Sequence, residues 1–225
     1  MTSVRVLTYN ILGGKAQVAL RSVVHTIEPD VMVVNETPRT PLLWRLQCPS
    51  LARQWGMQHV AGGCNAGRNM ICAQHHIGVA ETYVERTRQP LFQPIRGVVS
   101  AQLQADSHPF GVVGVHLGLE PTLREAQVQQ VLASAERLKG PVVAAGDLNE
   151  PPNGPSWAAL REAGFADHGD PQDHTYPAEH PARRIDAILV RGDVHVSRHR
   201  IPGLQPELLR LASDHLPVAA TLSWP

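Results

Sequence analysis

The chain has 225 residues, 43% of them apolar, a size and composition suited to one large domain spanning 1–225. Lys plus Arg and Asp plus Glu each number 20, so the formal net charge is zero, and a global basic excess for gripping long nucleic acid is excluded. Aromatics at 4% weigh against a row of base-stacking platforms.

The opening MTSVRVLTYNI has no basic region followed by an apolar stretch, so no signal peptide is expected. No apolar run approaches the ~18 residues of a transmembrane segment, and we expect a soluble, cytoplasmic protein. Alternation over 4–9 predicts a strand ending at Asn10, broken by Gly13 and Gly14. Apolar residues at helical spacing predict a helix over 15–27, closed by Glu28-Pro29-Asp30. A solidly apolar strand follows at 31–34 and delivers Asn35-Glu36. Next come a helix over 42–54, a strand over 57–60 and a Gly-rich loop over 61–67 that lacks the GK[ST] of a phosphate-cradling loop. Cys48, Cys64 and Cys72 read as reduced thiols; zinc on Cys64 and Cys72 with His75 and His76 is only weakly supported, since the Cys spacing is not that of a CxxC pair.

Strands are predicted around 70–73 and 78–84, then a strand pair, 98–104 and 110–115, ending at His116. A helix over 123–138 precedes the strand 141–145, which runs into VVAAGDLNEPP. A short helix over 157–163 ends at Gly164, and strands over 185–190 and 218–222 flank a Pro-, His- and Arg-rich connection. Trp44, Trp55 and Trp157 read as core or cap residues. The result is one strand-rich α/β domain without internal repeats.

One device recurs. Apolar strands run out into acids, amides or histidines: Asn10, Glu36, His116, Asp147 with Asn149, and Asp214 with His215. Asp186 sits inside a strand, where an unpaired carboxylate is expensive and calls for a donor such as histidine. Carboxylates with an amide make a hard oxygen site for Mg²⁺ or Mn²⁺. A carboxylate-oriented histidine handles protons near neutral pH, and the whole set is what metal-assisted phosphoester hydrolysis requires.

LTYNI, EPDVMVVNE, VVGVHLGL with Arg124 and Gln127, GDLNEPP, RRIDAILV and SDHLPV occur in that order, and together they resemble the endonuclease/exonuclease/phosphatase superfamily. The resemblance implies a four-layer α/β sandwich, two mainly antiparallel sheets packed face to face with helices outside, as in deoxyribonuclease I. It implies Glu36 as the principal metal ligand, with Asn10 and Asp214 close to the metal. Asp147 would orient or activate water, Asn149 would hold the scissile phosphate, and His215, partnered by Asp186, would face it with His116. Asn69 is a further substrate-binding candidate. Three positions depart from the usual pattern or extend it: Asn35 replaces a glutamine, Ala187 replaces an aromatic, and Asn69 falls in a segment where the family carries a Gly-Asn motif.

The expectation is a metal-dependent phosphoric ester hydrolase acting by in-line attack of water, with Mg²⁺ or Mn²⁺ as cofactor. The partner is a phosphoester, either a small molecule or lipid headgroup, or nucleic acid, and no obligate protein partner is evident. A DNA-directed nuclease of the same fold is the alternative. A catalytically silent binding or scaffold member would have lost Glu36, Asp147, Asn149 or His215, and all are present. Arg183, Arg184, Arg191, Arg198 and Arg200 form the densest basic stretch, readable as a phosphate-facing patch, Arg184 foremost, or as solvated surface.

Overall fold

The structure, a computed structural model, describes residues 2–87 and 93–224, without the side chains at 198 and 199. One six-stranded sheet, A, has the order β11 (His195–Arg200), β12 (Val218–Ser223), β1 (Ser3–Asn10), β2 (Val31–Asn35), β4 (Asn69–Ala73), β3 (Gln58–Gly63). The other, B, has the order β5 (Gly78–Arg86), β6 (Gly97–Ala105), β7 (His108–His116), β8 (Val142–Asp147), β10 (Asp186–Arg191), β9 (Ala166–Asp167). Each sheet has one parallel pair, β1 with β2 and β7 with β8, and the remaining pairs are antiparallel.

The central strands are apolar along their length because both of their faces are covered. Val6, Val33 and Ile71 of sheet A meet Val99, Val112 and Val143 of sheet B in the inter-sheet core. On the outer face of sheet A lie α1 (Gln17–Ile27), α2 (Trp44–Gln54) and α5 (Pro206–Ala212); on that of sheet B lie α3 (Pro121–Ala135) and α4 (Pro155–Glu162). This is the expected four-layer sandwich, mixed but mainly antiparallel. Helix α1 buries Leu20, Val23, Val24 and Ile27, one helical stripe, each side chain contributing roughly 1.5–3 kcal/mol on burial. It ends where Glu28 turns left-handed (φ 50°) and its N–H returns to Val24 O.

Small residues let the sheets meet closely beneath the site. A Cβ on Gly146 would lie 3.2 Å from Asn35 Oδ1, and one on Gly114 would lie 3.1 Å from Val33 Cγ1, both across the sheets. Several elements differ from expectation. Strand β3 continues to Gly63, absorbing half of the Gly-rich loop, since backbone pairing with β4 does not need side chains. The connection after β10 holds β11 and α5, and β9 caps the edge of sheet B. All three cysteines are free thiols; Cys72 is buried in β4 while His75 and His76 are exposed, so they do not converge. Among the described residues, no helix is long and apolar enough to cross a membrane.

Candidate active site

Topology brings the strand-end residues together. Asn10 and Asn35 are register partners at the C-terminal ends of the parallel β1 and β2, as are His116 and Asp147 on β7 and β8. Asp186 opens β10 directly opposite Asp147, and Asp214-His215 lies in the turn entering β12, which runs antiparallel to β1. All of these therefore sit at one end of the two sheets. Ser213 Oγ donates to Asn10 O at 2.6 Å and Ile11 N–H donates to Asn35 O at 3.1 Å, which fixes the turn before β12 and the end of β2 on either side of β1.

Asp147 is the centre of the cluster. Its Oδ1 accepts the Asn149 N–H at 2.8 Å; its Oδ2 accepts Asn10 Nδ2 at 3.3 Å and faces His116 Nε2 at 3.4 Å and His215 Nε2 at 3.8 Å. Burial, and then the charge of Asp186, push its pKa up to about 7, despite His215 and two hydrogen bonds acting the other way. His215 Nδ1 meets Asp186 Oδ2 at 2.9 Å. Burial alone would lower the His215 pKa, but Asp186, Asp147 and Asp214 override it and raise it to about 9. His116 goes the other way: burial, then the charges of Arg96, His215 and Arg68, hold it well below the usual histidine range. Its Nε2 nevertheless lies 3.4 Å from Asp147 Oδ2, and its Nδ1 is buried with no hydrogen-bond partner among the described residues.

The other candidates divide. Glu36 (φ 55°) points its carboxylate to Arg68, 3.5 Å away, at the mouth of a groove, with its side chain 27% exposed. A left-handed backbone costs a glutamate of order 1 kcal/mol or more, so the surroundings hold it there. Asn149 (φ 50°) donates Nδ2–H to Leu117 O at 2.9 Å. Asp214 is half-buried, its Oδ1 3.4 Å from Ser213 Oγ, and lines a second cavity of about 360 Å³ beyond the loop that follows β1. Asn69 is fully buried, its Nδ2 donating to Gly97 O at 2.8 Å and its Oδ1 accepting from Asn35 at 2.9 Å. Arg184 is also buried, bound bidentately to Asp167 at 2.7 Å and lying over the Trp157 ring. Arg191 pairs with Glu136 and Arg183 lies over Tyr176, while the Arg198 side chain is outside the described part.

Three residues escaped the sequence reading. Asn35, noted there only as a departure, joins the sheets: its Nδ2 donates to Asn69 Oδ1 and to Val115 O at 2.8 Å, and its Oδ1 accepts the Asp147 N–H at 3.0 Å. Arg96 is 8% exposed and donates Nε–H to Leu117 O at 3.2 Å, the same oxygen that Asn149 uses. Among the described residues no carboxylate lies within ion-pair distance of it, and burial lowers its pKa against the opposing charges of Asp147 and Glu36. Tyr176 tilts against His215 at 4.7 Å. Its segment is docked, since Thr175 Oγ1 accepts the N–H groups of Ile185 and Asp186, and Ala178 N–H donates to Asp214 O at 2.7 Å. No sequence signal marked Arg96 or Tyr176, and none gave Asn35 this role, because each owes its place to residues far away in the chain.

For a cation, the donor atoms of Asp147, Asp186 and His215 lie within 4.8 Å of one another. His215 and Asp186 are, however, already bonded to each other. Glu36, Asn10 and Asp214 offer only oxygens, the hard set that Mg²⁺ or Mn²⁺ prefers.

A family model described as the Endonuclease/Exonuclease/phosphatase family matches residues 7–215. No curated protein matches the chain. Among solved structures, a Bacteroides vulgatus endonuclease/exonuclease/phosphatase is 18% identical with a TM-score of 0.78, each chain covered over 100%. A humanized D. rerio TDP2 gives 17% and 0.73, again with both chains covered over 100%. A mannosyl-6-phosphatase of Bacteroides thetaiotaomicron gives 16% and 0.75 over 98% of this chain and 100% of that one. At these identities the likeness is one of fold.

Proposed function

The chain belongs to the endonuclease/exonuclease/phosphatase family, and on that premise we propose that it is a divalent-cation-dependent hydrolase that cleaves a phosphoester by in-line attack of water. The observation that carries the reading is the Asp186–His215 pair, whose Nε2 lies 3.5 Å from Asn10 Nδ2 and 3.8 Å from an Asp147 already enclosed by Asn10, Asn149 and His116. Such an arrangement separates a base from an acid within one buried site.

In this reading Asp147 takes the proton of the attacking water, its carboxylate held by the Asn149 N–H and Asn10 Nδ2. His215, charged and oriented by Asp186, donates Nε2–H to a phosphoryl oxygen and stabilises the charge that builds there. Asn149 Nδ2 has a second N–H for a non-bridging oxygen. Arg96, a buried guanidinium anchored on the same carbonyl and without an ion-pair partner among the described residues, gains its counter-ion when phosphate binds. Glu36, Asn10 and Asp214 would hold Mg²⁺ or Mn²⁺, which would neutralise phosphoryl oxygens and make phosphorus more electrophilic. Asn69 and Arg184 brace the site and its flank in this account, since their polar groups are bonded within the protein.

The ion pairing of Arg184 and Arg191, with zero net charge, favours a small phosphoester over duplex DNA. The test is hydrolysis of bis-p-nitrophenyl phosphate or p-nitrophenyl phosphate before and after EDTA. Activity lost with EDTA and restored by excess Mg²⁺ or Mn²⁺ is expected; turnover indifferent to the chelator would contradict the proposal.

A further inference from the structure

The groove that opens at Glu36 and Arg68 meets the chemistry above only at Glu36, and its remaining wall has no role there. It holds about 620 Å³ between the loop after β1 and helix α2, within the range of small-molecule sites. Its walls carry three carboxamides, Gln17, Gln47 and Gln54, and two hydroxyls, Thr40 and Ser50. Each of these offers both a donor and an acceptor. Gln47 Oε1 is buried and has no hydrogen-bond partner among the described residues, an acceptor whose loss of water no described residue repays.

That inventory selects a ligand. An acyl chain laid along this wall would strand several polar groups. A duplex would ask for a cationic ledge rather than a wall of amides. A molecule dense in hydroxyls satisfies amides and alcohols alike, and Leu12 and Leu46 at the rim suit the C–H face of its ring. Lys15 and Arg39 also line the groove and, with Arg68 offset by Glu36, give it a small cationic balance that a phosphorylated ligand would meet.

We infer that this groove binds the leaving-group alcohol of the substrate, and that the alcohol is a sugar or polyol, so that the substrate class is a hydroxyl-rich phosphoester. The inference rests on the phosphoesterase reading. The reaction balances as attack of water oxygen on phosphorus, rupture of the bond between phosphorus and the alcohol oxygen, and departure of the alcohol with one proton. Gln47 Oε1 accepts from a ligand hydroxyl, with Ser50 beside it on the same helix wall.

The test is calorimetric binding to Asp147→Asn protein with Mg²⁺ present. The probes are glucose 6-phosphate, myo-inositol 1-phosphate, glycerol 3-phosphate, inorganic phosphate, octyl phosphate and a 12-base-pair duplex. The tightest hydroxylated phosphoester should bind at least tenfold more tightly than phosphate, octyl phosphate or the duplex. Adding Gln47→Leu, or Ser50→Ala as a second and milder variant, should remove about tenfold of that affinity while phosphate binds as before. Preference for octyl phosphate or the duplex would overturn the inference, as would hydroxylated probes no tighter than phosphate. So would affinities that neither substitution changes. Phosphate release by the wild-type protein is followed in parallel. The expected binding pattern without turnover would sink the hydrolase reading and leave the groove assignment standing, so the two fail separately.

Discussion

At the scale of single residues, the account turns on two protonation states. Asp147, raised to about 7, is a base above that pH, and His215, raised to about 9, is an acid below it. Activity as kcat/KM should therefore be bell-shaped, with limbs near 7 and 9. Asp186 supplies the largest upward push on His215, so Asp186→Asn should move the alkaline limb towards lower pH, besides lowering the rate. An alkaline limb left in place would show that His215 is not the group observed. Both shifts also bear on stability in the same direction. Each folded pKa lies above its unfolded value of 3.8 or 6.5, so each contribution is whole below that value and is lost as pH rises through about 7 or about 9. Below about 6.5 the depressed His116 and His59 act the other way, their contributions being lost as pH falls. A net fall in thermal stability is therefore expected as pH rises from about 6.5 to 9, and Asp147→Asn should remove the downward part of the balance between 4 and 7, as calorimetry at several pH values would show. At this scale the sequence spoke clearly where chemistry sits in short contiguous runs such as GDLN and SDH. It was silent on Arg96 and Tyr176, whose meaning comes from a carbonyl at 117 and a ring at 215.

At the scale of elements, the site depends on how sheet A is fastened to sheet B. Asn35 spends its whole carboxamide on that joint, bonding β4, β7 and β8 from the end of β2. Asn35→Ala leaves three buried partners unmatched and should cost about 2–4 kcal/mol in chemical denaturation, with activity falling further than stability because Asp147 loses its backbone anchor. A variant as stable as wild type would show that the joint contributes little. Long apolar strands and the stripe of α1 were legible because burial on one or both faces writes a period into the sequence. Strand β11, reading HVSRHR, has no such period at the edge of its sheet, and the seven residues of α5 are too few to establish one. Segment 168–181 is held by Thr175, Tyr176 and Ala178 through contacts no local pattern encodes.

At the scale of the molecule, the four layers act as a frame that converts scattered strand ends into one buried cluster. Parallel β1–β2 and β7–β8 pairs carry their C-terminal ends to the same rim, and the antiparallel β10 and β12 start there. The order of the motifs in the chain was enough to anticipate this, whereas the groove between the loop after β1 and helix α2 was not foreseeable, since its five polar wall residues come from three separate segments. The measurement that tests the account most directly compares wild type with Asp147→Asn for phosphate or alcohol release. The panel is plasmid DNA, abasic-site duplex, RNA, sphingomyelin, an inositol phosphate and bis-p-nitrophenyl phosphate, each with Mg²⁺, Mn²⁺ or EDTA. The account predicts cation-dependent turnover that drops about 10²–10⁴-fold in the variant while its fold is retained. Equal activity in the two proteins, or silence of the folded wild type across the whole panel, would contradict it.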